Sequence, residues 1–451
     1  MKELSKLLGC RVHSVAPTLL KLRRANVAMT ICEGTLMKRT CLRFVYLGLI
    51  TITQSIHSNS FKLGLETISH KYSKKNNSNH HATRFALITN HTGKDQQGRR
   101  TLDLLLDNSL QITCILAPEH GFAGNVPAGQ TVITECDAKT GIPIFSLYKH
   151  GTGKTVDKHI YETIDAFIFD MQEAGMRHYT YLSTLLYTMY AACEHDKLFV
   201  VLDRPNILGN RVEGPLLSMD VAEKKSFIAA AHIPLRHGMT IGELATYFNN
   251  HVLEKPIRLE VIKMQGYHRQ TTLPSTLAYN LSPNIINKQS CYGYSFLGLL
   301  GEVRPFDVGL GTAYPFSTIG LPQNILTPAA WQQLQMQLHK AGITTTFCTY
   351  EHPRKKITYR GLHLHIAAIE QVHAFEALLN VFDFFKKRGI KYTFSADFDK
   401  AMGTNLVRNY VQGTISRSTL AATLNTTLKQ FWMQARSSFL YEPWPLITTI
   451  R

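Results

Sequence analysis

Apolar residues along this chain come in two spacings. Short continuous runs at Arg84–Thr89, Ile112–Ala117, Pro143–Leu147, Ala166–Phe169 and Leu198–Leu202 are rich in β-branched and aromatic residues, the pattern of strands buried on both faces. Between most of them lie stretches with helical spacing, including Thr101–Asn108 and Tyr181–Glu194. Strand and helix in alternation predict an α/β fold, a parallel sheet with helices on both faces. A helix at Thr240–Asn250 closes this part. Beyond it Arg258–Met264 and Thr358–Ile366 read as strands, and Val372–Lys387 and Thr419–Phe431 as helices, so a smaller α+β domain is expected over 246–451 after a sheet domain over 83–245.

In open parallel sheets ligands bind beyond the carboxyl ends of the strands. The predicted strands run out, in order, into Asn90-His91-Thr92-Gly93, Glu119-His120-Gly121, Tyr148, Asp170-Met171-Gln172-Glu173, and Asp203-Arg204-Pro205-Asn206. Polar, chemically able residues therefore share one edge. Pro118 cannot continue a central strand, and Gly121 and Gly124 suit a loop whose backbone approaches something closely. The stretch 167–181 adds Arg177, Tyr179 and Tyr181 beside carboxylates. Rings that stack on apolar sugar faces and guanidinium forks that hold carboxylates suit a saccharide. Equally, the two tyrosines can begin a buried helix while Arg177 neutralises Asp170. Glu213 in Val212–Pro215, and Arg236 and His237 in Pro234–Thr240, bring a further carboxylate and an Arg-His pair.

Composition narrows the classes. A chain of 451 residues, 44% hydrophobic and 18% charged, is too long for one core and too apolar for wholesale disorder. The formal charge of +17 favours anionic partners, but the basic residues are scattered in pairs and triplets such as Lys74-Lys75 and Arg354-Lys355-Lys356, so no nucleic-acid surface is predicted. No GxGxxG follows the first strand and no Walker lysine is present; 151–155 reads as an ordinary turn, so no cofactor is expected. The eight cysteines (Cys10, Cys32, Cys41, Cys114, Cys136, Cys193, Cys291 and Cys348) show no zinc spacing and no disulfide framework. His363 and His365 share a strand face without nearby Asp or Cys, which reads as structural, and no metal site is expected.

Met37 to Arg43 followed by Phe44 to Thr53 has the basic head and short apolar middle of a signal peptide, with cleavage after Ser55 or Ser58 and translation starting at Met37. Residues 1–58 thus read as a leader and 59–82 as a polar linker. With no second long apolar stretch, no stable membrane span is expected after cleavage, and the mature protein should be exported, periplasmic or secreted.

Thr89–Gly93, Pro118–Gly121, Phe169–Gly175 with Arg177 and Tyr179-Thr180-Tyr181, Leu202–Asn206, Val212–Pro215, Arg236–Thr240, Ser282-Pro283-Asn284, and Phe398-Asp399 with Gly403-Thr404 occur in an order and spacing that resemble the exo-β-N-acetylmuramidases of the NamZ kind. The resemblance runs from about residue 61 to the C-terminus. It implies a Rossmann-like domain, a smaller second domain, a cleft between them, and release of terminal β-linked N-acetylmuramic acid from peptidoglycan fragments. His91 stands where that family usually has Gln, and Val308 and Leu310 stand where a Glu and an Arg are common.

Glycoside cleavage usually needs one carboxylic acid to protonate the leaving oxygen and a second carboxylate opposite. Glu119, Glu173 and Glu213 are the candidates. Glu119 is first as acid/base, because the apolar strand behind it should raise its pKa by desolvation; the partner stays open between Glu173 and Glu213. Arg177, Arg204 or Arg236 would bind the lactyl carboxylate of muramic acid. Asn90, His120, Asp170, Gln172, Tyr179, Tyr181, Asp203, Asn206, His237 and Asn284 complete the candidate substrate contacts. Two other classes fit the same residues: a metal-dependent hydrolase or deacetylase using His120, Asp203 and His237, and a non-catalytic protein that holds cell-wall sugar.

Overall fold

A computed structural model describes residues 61–68, 72, 83–132, 134–148, 158–222 and 226–450. The predicted leader, residues 59–60, 69–71 and 73–82 of the linker, and the 151–155 turn lie outside them. Nine strands carry the first part of the chain: β1 (Arg84–Thr89), β2 (Gln111–Ala117), β3 (Glu135–Cys136), β4 (Pro143–Ser146), β5 (Ala166–Asp170), β6 (Leu198–Leu202), β7 (Arg211–Leu216), β8 (Pro234–Arg236) and β9 (Leu259–Ile262). Seven form one sheet in the order β3-β4-β2-β1-β5-β6-β9, parallel throughout except for the short edge strand β3. The six parallel strands, counted in chain order, lie 3-2-1-4-5-6, the doubly wound Rossmann arrangement. Its direction of winding reverses between β1 and β5, where Thr89 is paired with Asp170.

The central strands are continuous apolar runs because both faces are covered: every residue of β5 is buried, and so are Phe85 to Thr89 of β1. The strand expected at Arg258–Met264 is present as β9, but it completes this sheet beside β6 instead of opening a second domain. Its four residues are all half-buried, the exposure of an edge, and the sheet therefore continues past residue 245. β7 and β8 form a separate antiparallel pair.

The rest of the chain is α+β. The helix Lys288–Leu300 precedes β10 (Val303–Arg304), and β11 (Thr318–Pro322), β12 (Thr344–Glu351) and β13 (Thr358–His365) make an antiparallel sheet in the order β11-β13-β12. Helices Pro328–Lys340, Ala374–Lys386 and Arg417–Ala435 complete it, with β14 (Thr393–Phe394) beside β10. One apolar core runs from Phe61 to Ile450 through both parts. The final residues then return to the beginning: β15 (Leu446–Ile447) lies parallel to β7, the Tyr441 hydroxyl donates to Asp203 Oδ2 at 2.7 Å, and Leu440 N–H donates to Glu243 Oε1 at 2.6 Å.

Candidate active site

At the reversal point the chain leaving β1 makes a tight turn. Asn90 Oδ1 accepts from Thr92 N and Oγ1 (2.9 and 2.7 Å), and Thr92 Oγ1 in turn accepts from Gln172 N at 3.0 Å, so the β1 and β5 loops are latched together. Gln172 spends its amide hydrogens on the carbonyls of Glu173 and Pro205. Glu173 is oriented by backbone: Gly175 N–H donates to Oε2 at 2.5 Å and Met176 N–H to Oε1 at 3.3 Å. His237 Nδ1 accepts from Met239 N–H (3.2 Å), which leaves the imidazole proton on Nε2, 3.3 Å from Glu173 Oε2. Gly175 is needed here, since it sits at φ +91° and a Cβ would run into Asn206 Oδ1.

Glu119 follows β2 after Pro118. It is buried, accepts from Gly129 N–H at 3.0 Å and lies beside Tyr148, whose phenol is pushed up to about 12 by burial and then by the Glu119 charge. His120 takes a left-handed backbone step (φ +72°), uncommon for a non-glycine residue, and its Nδ1 meets Val126 O at 2.7 Å. A carbonyl only accepts, so Nδ1 carries a hydrogen.

Three buried tyrosines lie within electrostatic reach of the two carboxylates. Tyr179 and Tyr181 lie 4.6 Å apart and both donate to Leu281 O, at 2.7 and 3.1 Å. Burial raises all three phenols, Tyr294 included, and the neighbouring charges divide revealingly: Glu173 acts on Tyr179, Glu119 on Tyr181, and both on Tyr294. His178 packs on Tyr294 at 4.7 Å; burial lowers its imidazole to about 3, so it is neutral, and neither ring nitrogen has a partner. Asn90 Nδ2 and Gln172 Oε1 are likewise buried and unpartnered. An unsatisfied buried polar group costs about 1–3 kcal/mol, and several in one place are what a hydroxyl- and amide-bearing ligand would satisfy.

Other predicted contacts are committed to the fold. Asp170 and Arg204 form a two-point ion pair (2.5 and 2.7 Å), with Thr101 also on Asp170 and Lys94 O on Arg204. Asp203 accepts from Arg204 N, Gly242 N, Thr240 Oγ1 and Tyr441, and burial pushes its carboxyl up to about 7. Asn206 bridges Met239 O and Leu208 N. Glu213, expected as a possible catalytic partner, is instead a packing element: Oε1 takes Arg236 at 3.0 Å and Oε2 takes Phe375 N–H, at the start of Ala374–Lys386, at 2.9 Å. Arg236 also donates to the carbonyls of Val372, Leu208 and Ile369. Arg177 donates to Pro215 O, Ile233 O and Ala401 O and makes no ion pair among the described residues; burial lowers it to about 9. The three arginines expected to bind a lactyl carboxylate are thus engaged with buried backbone or buried acid, and each keeps one buried nitrogen without a partner: Nε of Arg177, Nη1 of Arg204 and Nε of Arg236. Asn284 is half-buried on the loop that Tyr179 and Tyr181 clasp.

The metal reading of His120, Asp203 and His237 has no geometric support, because Asp203 is filled by four donors and, among the described residues, no group of three His, Cys, Asp or Glu side chains is placed to hold an ion. Val308 is buried against Gly301 and Leu310 packs on the core, so these departures are packing positions. His178 and Tyr294 are site residues that the sequence does not single out. His178 lies inside the 167–181 stretch, but Tyr294 comes from a helix with no local sign of function. Gly403 explains its own motif: at φ +79° it lets the Arg177 guanidinium approach its Cα, where a Cβ would collide. Gly403→Ala is expected to lower stability by at least about 1–2 kcal/mol from the left-handed backbone alone, seen as a lower midpoint in denaturant.

Known proteins share this architecture and sequence. The N-terminal model of the exo-β-N-acetylmuramidase NamZ matches residues 85–289 and the C-terminal model matches 292–441. The peptidoglycan β-N-acetylmuramidase NamZ of Bacillus subtilis is 31% identical over 402 residues, 86% of this chain and 93% of its own. Crystal structures of two DUF1343 family proteins from Bacteroides fragilis superpose with TM-scores of 0.72 and 0.67 at 26% and 27% identity, each over 85% of this chain and 99% of its own.

Proposed function

Because this chain belongs to the NamZ family and is an exo-β-N-acetylmuramidase, a glycoside hydrolase, we propose that Glu119 and Glu173 are the two carboxylates that cut the muramyl bond. The carrying observation is that both are buried carboxylates just beyond the carboxyl ends of β2 and β5, where Asn90 Nδ2, Gln172 Oε1 and both His178 ring nitrogens are buried without partners. Glu119 is the acid that protonates the leaving oxygen. Glu173, fixed by two backbone N–H groups with His237 beside it, supplies electrons at the anomeric carbon, directly or through a water. Asn90, Gln172 and His178 receive the hydroxyl and amide groups of the terminal sugar. Turnover of a muramyl disaccharide by Glu119→Gln and Glu173→Gln proteins tests the assignment.

The cell-wall substrate and the segment from Met37 to Thr53 support an exported enzyme, and no helix of the described residues is long and apolar enough to cross a membrane. Terminal sequencing of the mature protein is expected to begin after Ser55 or Ser58; recovery of an intact Met1 or Met37 would refute export by cleavage.

A further inference from the structure

The C-terminal sheet carries a groove of about 440 Å³ lined by Thr312, Tyr314, Thr318, Thr346, Tyr350 and His363 among others, a volume in the range of small-molecule sites. Its lining is mostly apolar surface set with hydroxyls, and it includes one carboxylate, Glu351, and no lysine or arginine. Burial and the neighbouring His365 lower His363, keeping the imidazole neutral. Lys355, the nearby cation, is tied to Asp307 at 2.7 Å, and the same carboxylate takes the Tyr350 hydroxyl at 2.6 Å. Thr318 Oγ1 stands 3.4 Å from His363 Nδ1. Over this surface Tyr314 is 57% exposed, with His363 against its ring at 4.5 Å and 63°.

One residue connects the segment that carries Tyr314 to Tyr294. Phe316, between Tyr314 and Thr318 in the chain, has φ +53°, a conformation that costs an aromatic residue about 1–3 kcal/mol and that tends to persist at functional sites. Its carbonyl lies where a Cβ on Gly293 would be, and its ring packs edge-on to Tyr294 at 5.0 Å. The strained step thus sends Phe316 inward against Tyr294 while Tyr314 stays outside.

We propose that this groove is the subsite for the neutral N-acetylhexosamine to which the muramic acid is joined, with Tyr314 as its stacking platform and the threonines and His363 meeting its hydroxyl and acetamido groups. An anionic ligand would meet the Glu351 carboxylate and no lysine or arginine in the lining, whereas an uncharged ring with one apolar face matches both the aromatic and the hydroxyl lining. The inference rests on the Glu119–Glu173 reading only for which side of the bond the groove serves.

The test is titration of the slow Glu119→Gln protein with the natural disaccharide of N-acetylmuramic acid and N-acetylglucosamine, followed by calorimetry. Tyr314→Ala in that background is expected to weaken binding about tenfold, and Tyr314→Trp to restore it. Thr346→Val gives a second variant on the opposite strand. Phe347→Ala, exposed on the same strand but outside the lining, is the control and should bind like its parent. In otherwise wild-type enzyme Tyr314→Ala should raise KM for the disaccharide clearly more than KM for an aryl muramide, which has no second sugar. Unchanged disaccharide binding in both groove variants, or equal KM changes on the two substrates, would overturn the proposal. Binding is read without turnover, so its failure is separable from failure of the carboxylate assignment, which turnover alone reports.

Discussion

Glu119→Gln is expected to reduce turnover of a natural muramyl disaccharide by about 100- to 10,000-fold, the usual worth of general acid–base help, while leaving the substrate bound. Glutamine keeps the acceptor for Gly129 N–H and the neighbour for Tyr148, so the loop after β2 should hold its shape. The loss should shrink on an aryl muramide, whose leaving group departs with little protonation. Glu173→Gln should behave differently. Its partner role is needed whatever the leaving group, so the losses on the two substrates should be similar. Parallel steady-state measurements on both substrates separate the roles; equal sensitivity of Glu119→Gln to both leaving groups, or near wild-type turnover of the disaccharide, would remove Glu119 as the acid.

Arg236→Met is expected to cost about 3–5 kcal/mol of stability, the usual penalty for stranding one member of a buried ion pair. Glu213 would keep only Phe375 N–H, in a site where both side chains are about 2% exposed. The carbonyls of Val372, Leu208 and Ile369 would lose their donor as well. Pairing it with Glu213→Leu should recover part of the loss, because the stranded charge goes with it. Denaturant titration of both proteins measures this. Were Glu213 a catalytic carboxylate, Glu213→Gln would instead fold with wild-type stability and fail to turn over.

The sheet is nearly readable from the chain because its strands are buried on both faces and punctuated by turns. Arg84–Thr89 and Leu198–Leu202 coincide with the observed strands, and Ala166–Phe169 stops one residue short. β9 is recognisable as a strand but falls in a different layer from the one expected, since Leu-Glu-Val-Ile carries an alternating pattern that names no partner. β12, with its run of threonines and its exposed Phe347, has no apolar face to betray it. At the site, Glu119 and Glu173 are visible as strand-end carboxylates. No local pattern, however, distinguishes a guanidinium that binds substrate from one that binds carbonyls. Arg177, Arg204 and Arg236 look alike in the chain, and only the carbonyls and acids folded around them reveal how much of each guanidinium the fold engages.

The return of the C-terminal residues to the first sheet imposes an order of events on biogenesis. Asp203 and Glu243 sit at the end of β6 and the start of the helix after β8, yet their donors Tyr441 and Leu440 are made some two hundred residues later. In a nascent chain these two hydrogen bonds form last, after Asp203 already has Arg204 N, Gly242 N and Thr240 Oγ1 within reach. A cut after the helix beyond β8 would take one of four donors from Asp203 and would leave Glu243, which loses both Arg269 and Leu440 N–H, with Thr240 N–H.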